Sequence, residues 1–371
     1  MTIDAECRYF LGDRPCTWHK KEGVKCRCRY YEKIEKRMLI IKLDAMGDVL
    51  RTTCLLPCIA AQWPLSGITW ITRRESVPML EGNPYLAEVI EYGPDALLAL
   101  GTRRFERIIN LDAGKISAGL ASMAKAQQKI GYVLNERGFV EATGLEAEAW
   151  LKLGLFDDMK SANRKTYQDI MCSIVGVKPE GMKYVFELSD PERKRGGQHL
   201  QSLGVRSGKR LLGIHTGAGS RWPLKQLPEE KTVRLIRELL DESGDAIQIV
   251  LLGGPEEAVI NQRIKKHFGS EIFDAGSHNG IRQYAAIVSR CDVVLSGDTL
   301  AMHVALAMGR TVVALFGPTS PWEIELFGMG DKIVPSLECV ACYRRACERS
   351  PNCMDVISTE EIKEAIMRNL G

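Results

Sequence analysis

The chain has 371 residues, 45% of them apolar, with 50 Lys and Arg against 47 Asp and Glu for a formal net charge of +3. That length suits two domains of ordinary size with well-supplied cores, and the near balance of charge argues against a dedicated nucleic-acid partner. No apolar run approaches the roughly 18 residues that read as a membrane span, and the acidic start Met1-Thr2-Ile3-Asp4-Ala5-Glu6 leads to no apolar signal core, so a cytoplasmic address with reduced thiols is expected.

A cysteine-rich leader, 1–36, comes first. Met38-Leu39-Ile40-Ile41-Lys42-Leu43 then reads as a strand that runs into the loop Asp44-Ala45-Met46-Gly47-Asp48. A helix is expected from about Asp48, because Val49, Thr53, Leu56, Ala60 and Trp63 recur at steps of four and three. Strands are expected at 68–72, 89–92 and 107–111, the last ending in a loop with Asp112 and Gly114. A polar, helix-rich stretch follows, and a linker is expected near 186–197.

The second half alternates in the same way. Arg210 to His215 is a strand, followed by the small-residue loop Thr216-Gly217-Ala218-Gly219-Ser220. Pro228-Glu229-Glu230 opens a helix to about Leu240, with proline and acids where a helix start favours them. The apolar run Ile247 to Leu252 is a strand, and Gly253-Gly254-Pro255-Glu256-Glu257 turns into the next helix. Strand 292–295 meets a second Asp-bearing glycine loop, Ser296-Gly297-Asp298-Thr299, before helix 300–308 and strand 311–316. Such βα alternation implies parallel sheets with right-handed crossovers, whose strand-to-helix loops collect at the carboxyl ends where ligands bind.

The motifs occur in a specific order: Ile-Lys-Leu-x-x-x-Gly-Asp-Val from Ile41, His-Thr-Gly-Ala-Gly-Ser from His215, Leu-Leu-Gly-Gly-Pro-Glu-Glu from Leu251, Gly-Asp-Thr-x-x-Met-His from Gly297, and Ala-Leu-Phe-Gly-Pro-Thr from Ala314. Over roughly 38–330 the chain resembles glycosyltransferase family 9, the ADP-heptose–lipopolysaccharide heptosyltransferases. The resemblance implies an α/β GT-B fold of two doubly wound Rossmann-like domains facing a cleft, here with cysteine-rich terminal extensions. The expected boundaries are leader 1–36, acceptor domain 37–190, nucleotide-sugar domain 191–330 and a cysteine-rich segment with a C-terminal helix, 331–371. It further implies inverting transfer without a catalytic metal, from a nucleotide-sugar donor, ADP-heptose by family, to a glycan or lipid-linked glycan acceptor.

Inverting transfer needs a base for the acceptor hydroxyl. Asp48 matches the family's proposed base, although an Asp before a helix also serves as an N-cap; Asp44 is the second candidate. The departing diphosphate needs positive charge and helix-start N–H groups. Lys225 aligns with the family's phosphate lysine, and Arg221 is placed to share that role. Thr216, Gly217, Gly219 and Ser220 offer hydroxyls and open backbone to the same phosphates. Asp298, Thr299 and His303 carry the third nucleotide-side motif, with His303 also readable as a core histidine. Glu256 or Glu257 suits a ribose diol, or else a first helical turn. Arg51, Arg73 and Arg74 are the cations expected to meet an acidic acceptor.

Of the twelve cysteines, Cys54, Cys58, Cys172 and Cys291 read as buried core residues. Cys339-x2-Cys342-x4-Cys347-x5-Cys353 supplies four thiolates, and Cys7-x8-Cys16-x2-His19-x6-Cys26-x-Cys28 is a looser set. Structural zinc is the expectation, one site per group or one shared, with an iron–sulfur cluster the lesser option. The basic residues Lys20, Lys21, Lys25, Arg27, Arg29, Lys33, Lys36 and Arg37 in and just after the leader suit a solvated surface or a peripheral contact with the anionic inner membrane. Two other classes stand against the transferase: a non-catalytic nucleotide-sugar-binding protein whose cysteine groups do the work, and a dinucleotide redox enzyme. The second lacks its glycine fingerprint, since the loop after Leu43 holds only Gly47.

Overall fold

The structure is a computed structural model that describes residues 3–219 and 222–371. The expectations placed on Ser220 and Arg221 fall outside the described residues. The chain divides into two compact units, Met1–Lys152 with Gln168–Val185, and Leu153–Tyr167 with Phe186–Gly371.

The first unit holds strands β1 (Lys36–Ile41), β2 (Ser66–Thr72), β3 (Leu86–Glu91), β4 (Arg104–Asn110), β5 (Lys125–Leu134) and β6 (Val140–Ala142). They lie in the order β3-β2-β1-β4-β5-β6, parallel except for the antiparallel β5–β6 pair. In β1 the four successive residues Met38 to Ile41 are all buried, so both faces are covered, as an apolar run in a parallel sheet requires. Ile40 pairs with Trp70 on one side and Ile109 on the other. Strand β5 runs through a stretch expected to be polar and helical. It lies next to the edge strand, so residues such as Lys125, Gln127 and Gln128 stay exposed on a half-covered surface.

The expected single helix after β1 is two helices, Met46–Thr52 and Leu55–Gln62. Pro57 supplies the reason: it has no N–H for the Thr53 carbonyl and is tolerated only in a first turn, so the chain restarts at Leu55. Thr53 fills the break, its hydroxyl donating to the Leu50 carbonyl at 2.6 Å and accepting the Val185 N–H at 2.8 Å.

The second unit repeats the architecture with β7 (Arg210–His215), β8 (Ile247–Leu252), β9 (Phe273–Asp274), β10 (Val293–Gly297), β11 (Thr311–Leu315) and β12 (Gly330–Ile333). All pairs are parallel and the order is β12-β11-β10-β7-β8-β9. Read from its own first strand, this sheet has the same order as the first, that of a doubly wound Rossmann-like sheet. The helix Glu229–Ser243 buries Leu235, Ile236 and Leu239 against it, and the C-terminal helix Thr359–Leu370 adds Ile362, Ile366 and Leu370 to the same core.

Three expected boundaries are corrected. The linker near 186–197 is largely helix, Asp190–Ser202, started by a capping box between Ser189 and Glu192. Gly196 lets that helix lie against Ala286, and Arg282 ties it down through Glu192 at 2.6 Å and the Glu187 carbonyl at 2.8 Å. Residues 153–167, expected in the first domain, belong to the second unit, where Tyr167 donates its N–H to the Glu323 carbonyl at 2.9 Å. The segment 331–371 is part of the second unit's core rather than an extension beside it, because its helix completes the apolar cover of β10 to β12.

Candidate functional site

In a doubly wound sheet the crossovers diverge between the first and fourth strands, which leaves a crevice at their carboxyl ends. Each unit has one such point.

In the first unit it lies between β1 and β4. Lys42, in the residue after β1, is buried and ion-paired with buried Asp112 from the loop after β4. Lys42 Nζ also meets Asp44 at 3.2 Å, and the Asp112 carboxylate accepts the N–H groups of Leu43 and of Asp44, the latter at 3.1 Å. Asp112 is itself positioned by Asn110, which accepts its N–H at 3.2 Å and donates to the Tyr132 carbonyl at 2.8 Å. A buried ion pair of this kind is rigid, since removing one partner leaves an uncompensated charge. Burial pushes the Asp44 carboxyl up, but Lys42 and the bonded Asp112 pull it below its ordinary value on balance. Lys42 and Asp112 were not among the sequence candidates; a lysine inside an apolar strand run was the available signal, because such a group needs a partner.

Asp48 stands in the first turn of the helix Met46–Thr52. It is not the N-cap: that position is Ala45, which makes no side-chain bond. The Asp48 carboxylate is about one-third exposed and lies 2.7 Å from the Arg51 guanidinium. Arg51 is therefore Asp48's partner within its own helix. Arg73 also has an internal task, donating through Nε to the Leu43 carbonyl at 2.8 Å. Of the three cations expected to meet an acceptor, Arg74 is the one that stands exposed.

In the second unit the point lies between β7 and β10, and small residues shape it. Thr216 is buried and donates to Asn261 at 2.5 Å. A Cβ at Gly217 would overlap the Glu257 carboxylate, and Gly219 has φ +68, a conformation that favours glycine. The two glutamates left open by the sequence separate here. Glu257 is buried and accepts the Gly254 N–H at 2.7 Å, a first-turn cap. Glu256 is exposed, with its carboxylate 3.7 Å from where a Gly219 Cβ would stand.

Lys225 closes a short 3-10 turn, Pro223–Lys225, and donates to both the carbonyl and the carboxylate of Asp298, each at 2.7 Å. A Cβ at Gly297 would overlap the Lys225 carbonyl, so glycine lets the two loops approach. Thr319 donates to the same Asp298 oxygen at 2.7 Å. Burial alone would push the Asp298 carboxyl up; Lys225, His303 and Thr319 outweigh it and hold it at about 2. Thr299 is the N-cap of the helix Leu300–Ala307, accepting the Ala301 N–H at 3.2 Å, and His303 is buried one turn inside. His215, at the end of β7, faces the Tyr284 hydroxyl at 3.3 Å, and burial pushes its imidazole down to about 4. Sequence reading passed over His215 and Thr319.

The four inner cysteines are buried, and burial pushes the thiols of Cys172 and Cys291 up to about 12, which suits core residues. Cys339, Cys342 and Cys347 border one cavity with Asp157 and Asp158, while Cys353 starts a short helix against Gly317. Cys7, Cys16, Cys26 and Cys28 border another, in the leader. Among the described residues no three His, Cys, Asp or Glu side chains already meet as a metal-holding group. Nor is any described helix long and apolar enough to cross a membrane.

Comparison with known proteins follows the same lines. The sequence pattern of glycosyltransferase family 9 (heptosyltransferase) matches residues 97–352. Lipopolysaccharide heptosyltransferase 2 of Salmonella typhimurium is 23% identical over 309 residues, spanning 77% of this chain and 84% of that protein. Among solved structures, a family 9 glycosyl transferase from Veillonella parvula superposes with a TM-score of 0.71 at 21% identity, covering 91% of this chain and 98% of that one. The E. coli heptosyltransferase WaaC with ADP-2-deoxy-2-fluoro heptose superposes with a TM-score of 0.59 at 17% identity, covering 90% of this chain and 99% of that one.

Proposed function

This chain belongs to glycosyltransferase family 9, the heptosyltransferase family, and is a glycosyltransferase; we propose that it moves a heptosyl group from ADP-heptose to a lipopolysaccharide-core or related glycan acceptor, with inversion at the anomeric carbon. The observation that carries the reading is the second unit's switch point, where a lysine, a glycine loop and a helix start surround the carboxyl ends of β7 and β10. Such a set of donors suits a diphosphate, and it needs no metal to do so.

In this reading the donor's diphosphate lies along residues 216–219, whose backbone N–H groups donate to its oxygens. Lys225 meets the charge that grows on the leaving oxygen as the anomeric C–O bond breaks, and Asp298 keeps that ammonium aimed. Exposed Glu256, rather than the capping Glu257, takes the ribose diol. The acceptor hydroxyl attacks the anomeric carbon from the opposite face and passes its proton to Asp48, which Arg51 orients.

The acceptor assignment, the cytoplasmic address and a peripheral contact with the inner membrane are drawn from the relatives' names and from the basic leader. A thermal-shift panel of ADP, UDP, GDP and CDP, followed by transfer from ADP-heptose to a heptose-deficient lipopolysaccharide core, tests the whole reading. Selective stabilisation by ADP with transfer to the core is the expected result. Stabilisation by a different nucleotide would redirect the donor, and binding without transfer to any core acceptor would remove the catalytic role.

A further inference from the structure

The leader is the part of the first unit with the least apolar support. None of residues 3–36 is buried, and before β1 its regular structure is one six-residue helix, Thr17–Glu22, and a bridge between Cys7 and Lys33. A segment of that size, below about 40 residues, does not hold its shape by a core alone and relies on covalent links, metals or docking. Docking is slight. Arg8 donates to the carbonyls of Pro84 at 3.0 Å and Ser66 at 3.3 Å, and Ile34 fills the space above Gly67. Trp18 stacks on Tyr30 at 3.8 Å and meets Tyr9 edge-on at 5.7 Å, a small half-buried aromatic cluster.

The segment does enclose a cavity of about 250 Å³, bordered by Cys7, Cys16, His19, Cys26 and Cys28. Three details prepare these groups as ligands. Cys16 is the N-cap of the short helix, and its sulfur accepts the His19 N–H at 3.4 Å, which holds sulfur and imidazole residues in one turn. His19 Nδ1 lies 2.8 Å from the Val24 carbonyl. A carbonyl only accepts, so Nδ1 carries the proton and Nε2 keeps its lone pair, the arrangement found when imidazole binds a metal. Arg27, between Cys26 and Cys28, has φ 63, a left-handed conformation that side-chain-bearing residues seldom hold without cause.

We propose that the leader is a zinc module: four of these five donors take one zinc ion tetrahedrally, and the ion supplies the cohesion that the segment lacks in apolar contacts. Sulfur with imidazole suits zinc over magnesium or calcium. The donors ring the cavity without three of them converging on one point, so binding draws the segments around Cys7 and Cys26–Cys28 inward, and ion affinity is linked to local order.

The test uses the full-length chain, purified reduced and without oxygen, stripped with a chelator and then given zinc. Pulsed alkylation read by mass spectrometry should show the leader cysteines labelling roughly tenfold or more slowly once zinc is present. Cobalt(II) in place of zinc should give thiolate-to-metal absorption, and Cys26→Ser with Cys28→Ser should lose it together with about one equivalent of bound ion. Should the double variant fold poorly, the alkylation comparison on the unaltered chain still decides. Equal labelling rates with and without zinc would overturn the proposal, as would leader disulfides in anaerobically purified protein or the visible absorption of an iron–sulfur cluster. None of these readouts depends on sugar transfer, so the module and the transferase reading fail separately.

Discussion

The two sheets share one strand order, yet their switch points are finished in opposite ways. Between β1 and β4 the chain buries a charged pair, Lys42 with Asp112, and leaves carboxylates at the surface in Asp44 and Asp48. Between β7 and β10 it clears the surface with Gly217, Gly219 and Gly297 and leaves a lysine, Lys225, held by Asp298. The same backbone thus carries surface carboxylates at one switch point and a held lysine beside a glycine loop at the other. Function here is set by what lines the crevice rather than by the fold that makes it.

The sharpest way to break that contrast is at Asp48. Asp48→Asn keeps the shape and a partner for Arg51 but cannot take the proton, so kcat should fall by about 10²–10⁴ while ADP affinity is unchanged. Near-normal turnover on a confirmed acceptor would show that the first unit's carboxylate is not the base.

The two lysines separate stability from chemistry. Lys42→Met leaves buried Asp112 without its cation and should cost about 3–5 kcal/mol in urea unfolding, with little effect on ADP binding in whatever fraction stays folded. Lys225→Ala should do the reverse, lowering turnover by about 10²–10³ and weakening ADP with a smaller loss of stability. Equal losses of stability in the two variants would erase the distinction between a packed pair and a working one.

A smaller effect comes from pH. His215 titrates at about 4 in the folded chain against an ordinary value of 6.5. Below pH 6.5 the unfolded chain therefore binds a proton that the folded chain refuses, and stability falls as pH drops from 6.5 to about 4. The loss should reach at most about 3 kcal/mol. Asp298, held at about 2, has the opposite position: its contribution persists down to its ordinary 3.8 and is lost below that. Between pH 6.5 and 4 the urea midpoint should therefore fall further, or rise less, in the parent chain than in His215→Gln.

The smallest difference lies between adjacent glutamates. Glu256→Gln should weaken ADP by about tenfold with unchanged melting, whereas Glu257→Gln should lower melting by a cap's worth, about 1 kcal/mol. Calorimetric titration beside thermal melts reads both, and a reversed pattern would move the ribose contact to Glu257.

Much of this was legible in the chain itself. Continuous apolar runs such as Met38 to Ile41 and Ile249 to Leu252 suit strands covered on both faces, and the glycine-bearing loops after them mark the carboxyl ends of a parallel sheet. Even the misjudged breaks had local signals: Pro57 ended one helix, and Ser189 with Glu192 started another. Those features depend on neighbours a few residues away, which is the range over which propensity and periodicity act.

What tertiary structure alone decided is which charges are spent and which are available. Lys42 finds Asp112 at a separation of 70 residues, and Lys225 finds Asp298 at 73, because right-handed crossovers bring a first and a fourth strand side by side. The same packing hides Glu257 and exposes Glu256, residues that no local pattern tells apart. A side chain's chemistry is written in its residue type, but its partner and its contact with water are properties of the assembled sheet.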